Sequence, residues 1–255
     1  DTGLVIGYVQ SGKTISFTTV AALARDNGYQ MVIVLAGVTN YLYGQSKARL
    51  ERDLRIGARS DRPWIHFSKP SSANNTSGLI QGNLQDWTDP ALTQDLRSTV
   101  LITVMKNKAQ LNKLTAVLTG LDLSRVPTLI IDDEADQAGL NTLVNQGNAS
   151  ATYSSLMALR QRLPHHTYLQ YTATPQAPLL INIIDVLSPS FVKVLTPGPG
   201  YIGGRQFFVE RPGLVRIIPS AEIPTAQVPL HEPPDSLQRA MQLFFLGVAS
   251  GLRKG

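Results

Sequence analysis

Three short stretches of this chain hold residues whose types and spacing can do chemistry. The first is Gly7-Tyr8-Val9-Gln10-Ser11-Gly12-Lys13-Thr14, which fits G-x-x-x-x-G-K-[ST], a loop that cradles nucleotide phosphates. The second is Asp133-Glu134-Ala135-Asp136, and the third is Thr172-Ala173-Thr174. Each of the last two closes an apolar run.

The nucleotide-binding candidates are Gly7, Gln10, Ser11, Gly12, Lys13 and Thr14. Glycines at 7 and 12 let the backbone turn consecutive N–H groups toward one anion. Lys13 is placed to pair with the β/γ-phosphates, and Thr14 to offer its hydroxyl to Mg²⁺. Asp133 is the expected second metal partner, and Glu134 the base that polarises an attacking water. Lys13 and Glu134 are thus the expected catalytic residues, and ATP and Mg²⁺ the expected cofactors. Asp132 makes a third adjacent acid. Three such groups ionise together only at a cost unless a metal or a cation lies close, and the sequence assigns Asp132 no role. Thr172, Ala173 and Thr174 carry a positional argument alone: they would couple the nucleotide site to a neighbouring lobe.

The elements that must position these residues are legible in the pattern. Leu4-Val5-Ile6 reads as a short buried strand leading into the glycine loop, and Ile15 to Arg25 as the helix after it. That helix turns its positive N-terminal end toward the phosphates. Met31 to Ala36 is a continuous apolar run, as in strands buried on both faces. Tyr41 to Ile56 is helix-like, 71–78 reads as a polar loop, Val100 to Val104 as a strand and Leu111 to Leu118 as a helix. Thr128 to Ile131 leads to the acids, Tyr153 to Leu163 is helical, and Tyr168 to Tyr171 leads to the Thr-Ala-Thr segment. Strands alternating with helices imply crossovers and a mainly parallel sheet. The expected fold is therefore an α/β P-loop lobe over 1–187. A Pro/Gly-rich irregular extension over 188–234 follows, then a terminal helix over 235–255 with apolar residues at Leu237, Ala240, Met241, Phe244, Phe245 and Val248.

Composition narrows the classes. With 43% hydrophobic and 16% charged residues the chain can bury a full core. The absence of cysteine excludes disulfides and cysteine zinc sites. No apolar run approaches the ~18 residues of a membrane span, and the cytoplasm is the expected location. A net charge of +5 suits a polyanionic partner. Arg49, Arg52, Lys106 and Lys108 are the nucleic-acid candidates, on segments following strands whose ends lie at the sheet edge where ligands gather. For the charged stretch from Lys47 to Lys69, spacing alone favours a solvated helix face.

The order of the three motifs is similar to motifs I, II and III of superfamily-two helicases and translocases. In detail the chain resembles the Z1-type domain family, a branch of that superfamily. The resemblance rests on GYVQSGKT at 7–14, VLAGVTNYLYGQSKARL at 34–50, LITVMKNKAQLNKL at 101–114, LIIDDEADQAGLN at 129–141, YTATPQAPLL at 171–180 and LSPSFVKVLTPGPGYIGG at 187–204. It implies a RecA-like lobe of a DNA-dependent ATPase working in bacterial restriction or defence systems. Duplex DNA, a second motor lobe of the same protein and a separate nuclease subunit would be its partners. No nuclease constellation is present in the sequence. The second lobe is expected after Gly255, so this chain is expected to bind ATP and hydrolyse it slowly. Two other readings stay open: a P-loop enzyme of another class, and a nucleotide-dependent switch or scaffold without motor activity. A GTPase is disfavoured because Asn107-Lys108 is followed by Ala-Gln rather than the guanine signature.

Overall fold

A computed structural model of the chain describes residues 1–137, 151–179, 186–225 and 232–254. Residues 138–141 and Leu180, parts of two motif segments quoted above, lie outside the described residues. Seven strands form one sheet: β1 (Thr2–Ile6), β2 (Met31–Ala36), β3 (Trp64–Ser68), β4 (Thr99–Met105), β5 (Thr128–Asp133), β6 (His166–Thr172) and β7 (Phe191–Val194). Their order is β3-β4-β2-β5-β6-β1-β7, and every pairing is parallel. The helices are α1 (Lys13–Asp26), α2 (Asn40–Asp53), α3 (Thr76–Gln85), α4 (Lys108–Thr119), α5 (Ala151–Gln161), α6 (Gln176–Leu179) and α7 (Asp235–Lys254).

The central strands are buried on both faces, which is why β2 reads as an unbroken apolar run and β4 as one interrupted by threonine alone, while β7 at the edge is exposed. On one face Ile33, Leu35, Ile102 and Ile130 pack against Ile80 and Leu84 of α3, Leu111 and Leu114 of α4 and Leu156 and Leu159 of α5. On the other face Val32, Val34, Leu129 and Ile131 pack against Phe17 and Ala21 of α1 and Tyr43 and Leu50 of α2. A parallel sheet covered on both sides by its own crossover helices is the RecA-like arrangement expected. Strand β1, which leads into the glycine loop, and the acid-bearing strand β5 are separated by the single strand β6.

Three elements differ from the sequence expectation. The stretch read as a polar loop is a helix from Thr76 onward. Its composition, with Gly78, Gly82 and Asn83, has weak intrinsic helix preference, but burial of Ile80 and Leu84 holds it. Trp64–Ser68 is an edge strand whose mixed polar and aromatic residues carry no clear period. Phe191–Val194, beyond the lobe boundary expected at 187, adds β7 alongside β1. The first compact unit accordingly runs from Asp1 to Tyr201.

The second unit covers Ile202–Gly255. Its described residues are short turns followed by α7, which spans the expected terminal helix. Ser236 N–H donates to Glu222 near the start of that helix. Leu237, Met241, Phe244, Phe245 and Val248 are exposed. Among the described residues no helix is long and apolar enough to cross a membrane.

Candidate nucleotide site

Parallel strands bring their C-terminal ends to one edge, and the register fixes which residues meet there. Ile6 pairs with Thr172, and Asp133 with Tyr171. The glycine loop leaves β1 at this edge, the acids leave β5 and the Thr-Ala-Thr segment leaves β6. The loop is anchored at its start by Gly7 N–H donating to the Thr172 carbonyl at 3.0 Å.

Two glycines in the loop have stated reasons. Gly12, the residue before α1, has φ +96°, a left-handed conformation that L side chains rarely adopt. At Gly7 a Cβ would lie 2.6 Å from Cγ of Lys13, so the absence of a side chain lets Lys13 fold back over the loop. Helix α1 has no side-chain cap and no acid in its first turn. Its first N–H groups are therefore left for a ligand, and an anion suits them. Among the described residues, Ser11 Oγ is buried with no hydrogen-bond partner, and Lys13 Nζ makes one long 3.4 Å contact to the Tyr8 carbonyl.

A cavity of about 640 Å³ opens over this loop, a size that suits a bound small molecule. Gln10, Gly12, Lys13 and Thr14 line it from one side, and Asp133 and Glu134 from another. The structure therefore brings together all the expected chemical residues of motifs I and II except Gly7 and Ser11, which sit in the loop beneath. Among the described residues no group of three or more His, Asp or Glu side chains converges on one point. A magnesium ion in such a site takes one or two protein ligands and the rest from phosphates and water. Thr14 and Asp133 fit that pattern. Burial pushes the Asp133 carboxyl up to about 6, with the charges of Glu134 and Asp132 adding to the rise and Lys106 and Lys13 opposing it. A cation placed beside Asp133 would relieve this.

Asp132 has a different fate. The period of a strand turns it to the opposite face from Asp133. There it is 1% exposed and accepts from Lys106 Nζ at 2.7 Å and from Tyr168 Oη at 2.5 Å. Lys106, expected on the nucleic-acid face, is fully buried. Its ammonium also donates to the carbonyls of Asp133 at 3.2 Å and Glu134 at 2.6 Å. That expectation is corrected: all three of its donors are used inside the protein, because a charge at the end of a central strand must be neutralised there. Lys106 thus ties down the backbone at Glu134, which holds the left-handed φ of +54°. Lys108 is exposed at the start of α4, and Asn107 caps that helix by accepting from Gln110 N–H.

Thr172 and Thr174 both reach the last acid of motif II. Their hydroxyls donate to Asp136 at 2.5 and 2.7 Å. Burial works against the charged carboxyl, but these donors outweigh it and hold Asp136 below the ordinary value. Ala173 lies between them with no polar group of its own to contribute. Asp136 was not singled out in the sequence; its place three residues after Asp133 was the available signal.

Helix α2 supplies the wall the sequence did not announce. Leu42, Gln45, Ser46, Arg49, Arg52 and Asp53 line the cavity, a stripe at helical spacing. Ser46 Oγ donates to Asp133 at 3.4 Å, and Arg49 Nη1 donates to Thr14 Oγ1 at 3.2 Å. Arg52 is paired with Asp53 at 2.6 Å. Most of the remaining charged stretch is paired too: Lys47 with Glu51, Arg59 with Asp61, and Arg62 with Asp26 and Asp95. Lys47 and Glu51 lie on α2, as a solvated helix face requires, whereas Arg59, Asp61 and Arg62 lie beyond the end of that helix at Asp53.

The segment after β7 returns to the glycine loop. Tyr201 Oη donates to the Val9 carbonyl at 2.9 Å, and its ring lies 5.8 Å from that of Tyr8. Nothing in the Pro/Gly-rich composition predicted this clasp.

Comparison with known proteins adds the following. No protein-family model matches the chain, and no curated protein matches it. Among solved structures, it is similar to domain 2 of the DEAD-box helicase Mss116p bound to an RNA duplex, with 12% identity and a TM-score of 0.45. The match covers 78% of this chain and 65% of that one, so the chain spans just under two thirds of its length. It is also similar to Drosophila ORC bound to DNA, with 12% identity and a TM-score of 0.25 over 74% of this chain and 94% of that one. The Aeropyrum pernix ORC2 protein, in ADPNP-ADP complexes, gives 14% identity and a TM-score of 0.29 over 73% and 47%.

Proposed function

We propose that this chain is the ATP-binding lobe of a DNA-dependent ATPase of the superfamily-two helicase and translocase type. The motif resemblance supports a Z1-type domain acting as the motor component of a bacterial restriction or defence system. The observation that carries the reading is the single cavity lined by Lys13, Thr14, Asp133 and Glu134.

The residues divide the work. The glycine loop and the free N–H groups of α1 bind the phosphates, and Lys13 adds a charge-assisted contact. Thr14 and Asp133 hold magnesium, which when bound neutralises charge on the phosphate oxygens. Glu134 orients a water and takes its proton as the water oxygen attacks the terminal phosphorus. The bond from that phosphorus to the bridging oxygen breaks, leaving ADP and inorganic phosphate. Lys106 keeps the Glu134 backbone in place during this, and the Asp136–Thr172–Thr174 cluster ties the acid loop to β6. Duplex DNA, a second lobe and a nuclease subunit are the partners of the reading, with Lys108 the exposed cation at the same sheet edge.

The test is ATP binding by calorimetry on the wild type and Lys13→Ala. Loss of one charge-assisted contact, typically worth about 1.5–3 kcal/mol, lowers affinity about tenfold or more. Unchanged affinity in a folded Lys13→Ala protein would sink the phosphate-loop assignment. Turnover with and without duplex DNA then separates a DNA-dependent motor from a self-contained enzyme.

A further inference from the structure

Arg49 projects from α2 into the cavity of the glycine loop, and its guanidinium touches the Thr14 hydroxyl at 3.2 Å. Its neighbours on the helix behave differently. Arg52 is held by Asp53 and Lys47 by Glu51, whereas Arg49 makes no ion pair among the described residues. One donor of its planar fork is used on a neutral hydroxyl, and the residue lines the cavity beside Lys13 and Arg52 on one hand and the carboxylates of Asp53, Asp133 and Glu134 on the other. One turn earlier on the same stripe, Ser46 donates to Asp133. Helix α2 therefore meets the site at Thr14 and Asp133, the end where the metal and the reacting phosphate belong, and not at the start of the loop.

We infer that Arg49 recognises the terminal phosphate of the bound nucleoside triphosphate and lets this lobe distinguish ATP from ADP. The inference rests on the nucleotide-binding reading above. It moves Arg49 from the nucleic-acid face to the nucleotide. Arginine suits the task because its fork matches the paired oxygens of a phosphate, where lysine offers a point charge. Being supplied by the same lobe as the glycine loop, it needs no second lobe to reach the phosphate. A cation that contacts only the terminal phosphate has nothing to hold once ADP is left.

The experiment is calorimetric titration of the full 255-residue chain with a non-hydrolysable imido analogue of ATP and, separately, with ADP, both with magnesium. The wild type, Arg49→Ala, Arg49→Lys and Lys13→Ala are compared, with thermal melting as the check on folding. Arg49→Ala is expected to lose about tenfold or more in affinity for the triphosphate analogue and to keep its affinity for ADP. Arg49→Lys should fall between. Lys13→Ala should weaken both ligands. Equal losses for both ligands in Arg49→Ala, or no loss for either, overturn the inference while leaving the phosphate-loop reading intact. A change in duplex DNA affinity alone would likewise overturn it and return Arg49 to the nucleic-acid face. A wild type that binds neither ligand, or a Lys13→Ala protein that binds both as the wild type does, overturns the two readings together.

Discussion

Lys13 and Lys106 stand at the same edge of one sheet, both close to the acids that end β5, and they have opposite uses. Lys13 lines an open cavity and makes one long contact to a carbonyl. Lys106 is sealed, with a carboxylate and two carbonyls taking its three donors. The acids divide in the same way. Asp132 is consumed by Lys106 and Tyr168, while Asp133, one residue on and turned to the other face, makes no ion pair among the described residues and accepts a long contact from Ser46. Availability for a ligand is set by what remains unpaired, not by residue type or by distance from the motif.

The largest effect that tests this contrast is on stability. Lys106→Ala leaves Asp132 buried and uncompensated, which costs about 3–5 kcal/mol, a large part of the stability of an ordinary domain. Lys13→Ala, at a partly exposed site outside the core, should change stability by about 0.5 kcal/mol or less. Urea unfolding of both variants checks the difference. Adding Asp132→Asn to Lys106→Met should recover part of the loss, since the amide still accepts from Tyr168. A double variant as unstable as Lys106→Ala would show that the ion pair is not what matters there.

Next is chemistry on the open side. Glu134→Gln keeps the shape of the acid loop but removes the proposed base, so under the proposed function ATP hydrolysis should fall about 10²–10⁴-fold with nucleotide affinity retained. Steady-state turnover and calorimetry on the same preparation read both. Hydrolysis at the wild-type rate would remove Glu134 from its role.

Asp133 offers a pH test in the magnesium-free protein. Its folded-state value of about 6 lies above the ordinary 3.8, so the folded protein binds the proton more tightly than the unfolded chain. Between about pH 4 and 6 this group makes stability fall as pH rises. Asp133→Asn should therefore be more stable than the wild type at pH 7, by on the order of 2–3 kcal/mol, and the gain should vanish near pH 4. Added magnesium should stabilise the wild type and not the variant. Thermal melts across pH, with and without magnesium, measure each part.

The smallest effect is at the Thr172-Ala173-Thr174 segment. Thr174→Val removes one exposed hydroxyl donor to Asp136 and leaves that of Thr172. A loss of about 0.5–1.5 kcal/mol is expected, and Asp136 should titrate at a higher pH, read by carboxyl NMR. An unmoved Asp136 would show that Thr172 alone holds it.

Much of the sheet was legible because its strands are buried on both faces. Continuous runs such as Met31–Ala36 admit little else when glycine and proline punctuate them. Trp64–Ser68 and Phe191–Val194 lie at the two sheet edges, where burial asks less of the sequence and the pattern weakens. Helix α3 is stabilised by tertiary burial of two residues and not by its own composition. In the site, the glycine loop and Asp133-Glu134 were legible because the phosphate-loop pattern is a pattern of spacing along the chain.

By itself the sequence determined the alternation of strands and helices, the left-handed turn at Gly12, and which residue types reach the end of each strand. Those are local consequences of side-chain period, backbone freedom and burial. Only the tertiary structure decided that Arg49 meets Thr14, that Asp136 meets Thr172 and Thr174, and that Lys106 is spent on Asp132. Each of these pairs joins separate elements, and register and helix packing set the meeting. The neutralising partner of a buried charge is chosen by proximity in three dimensions, which spacing along the chain does not encode.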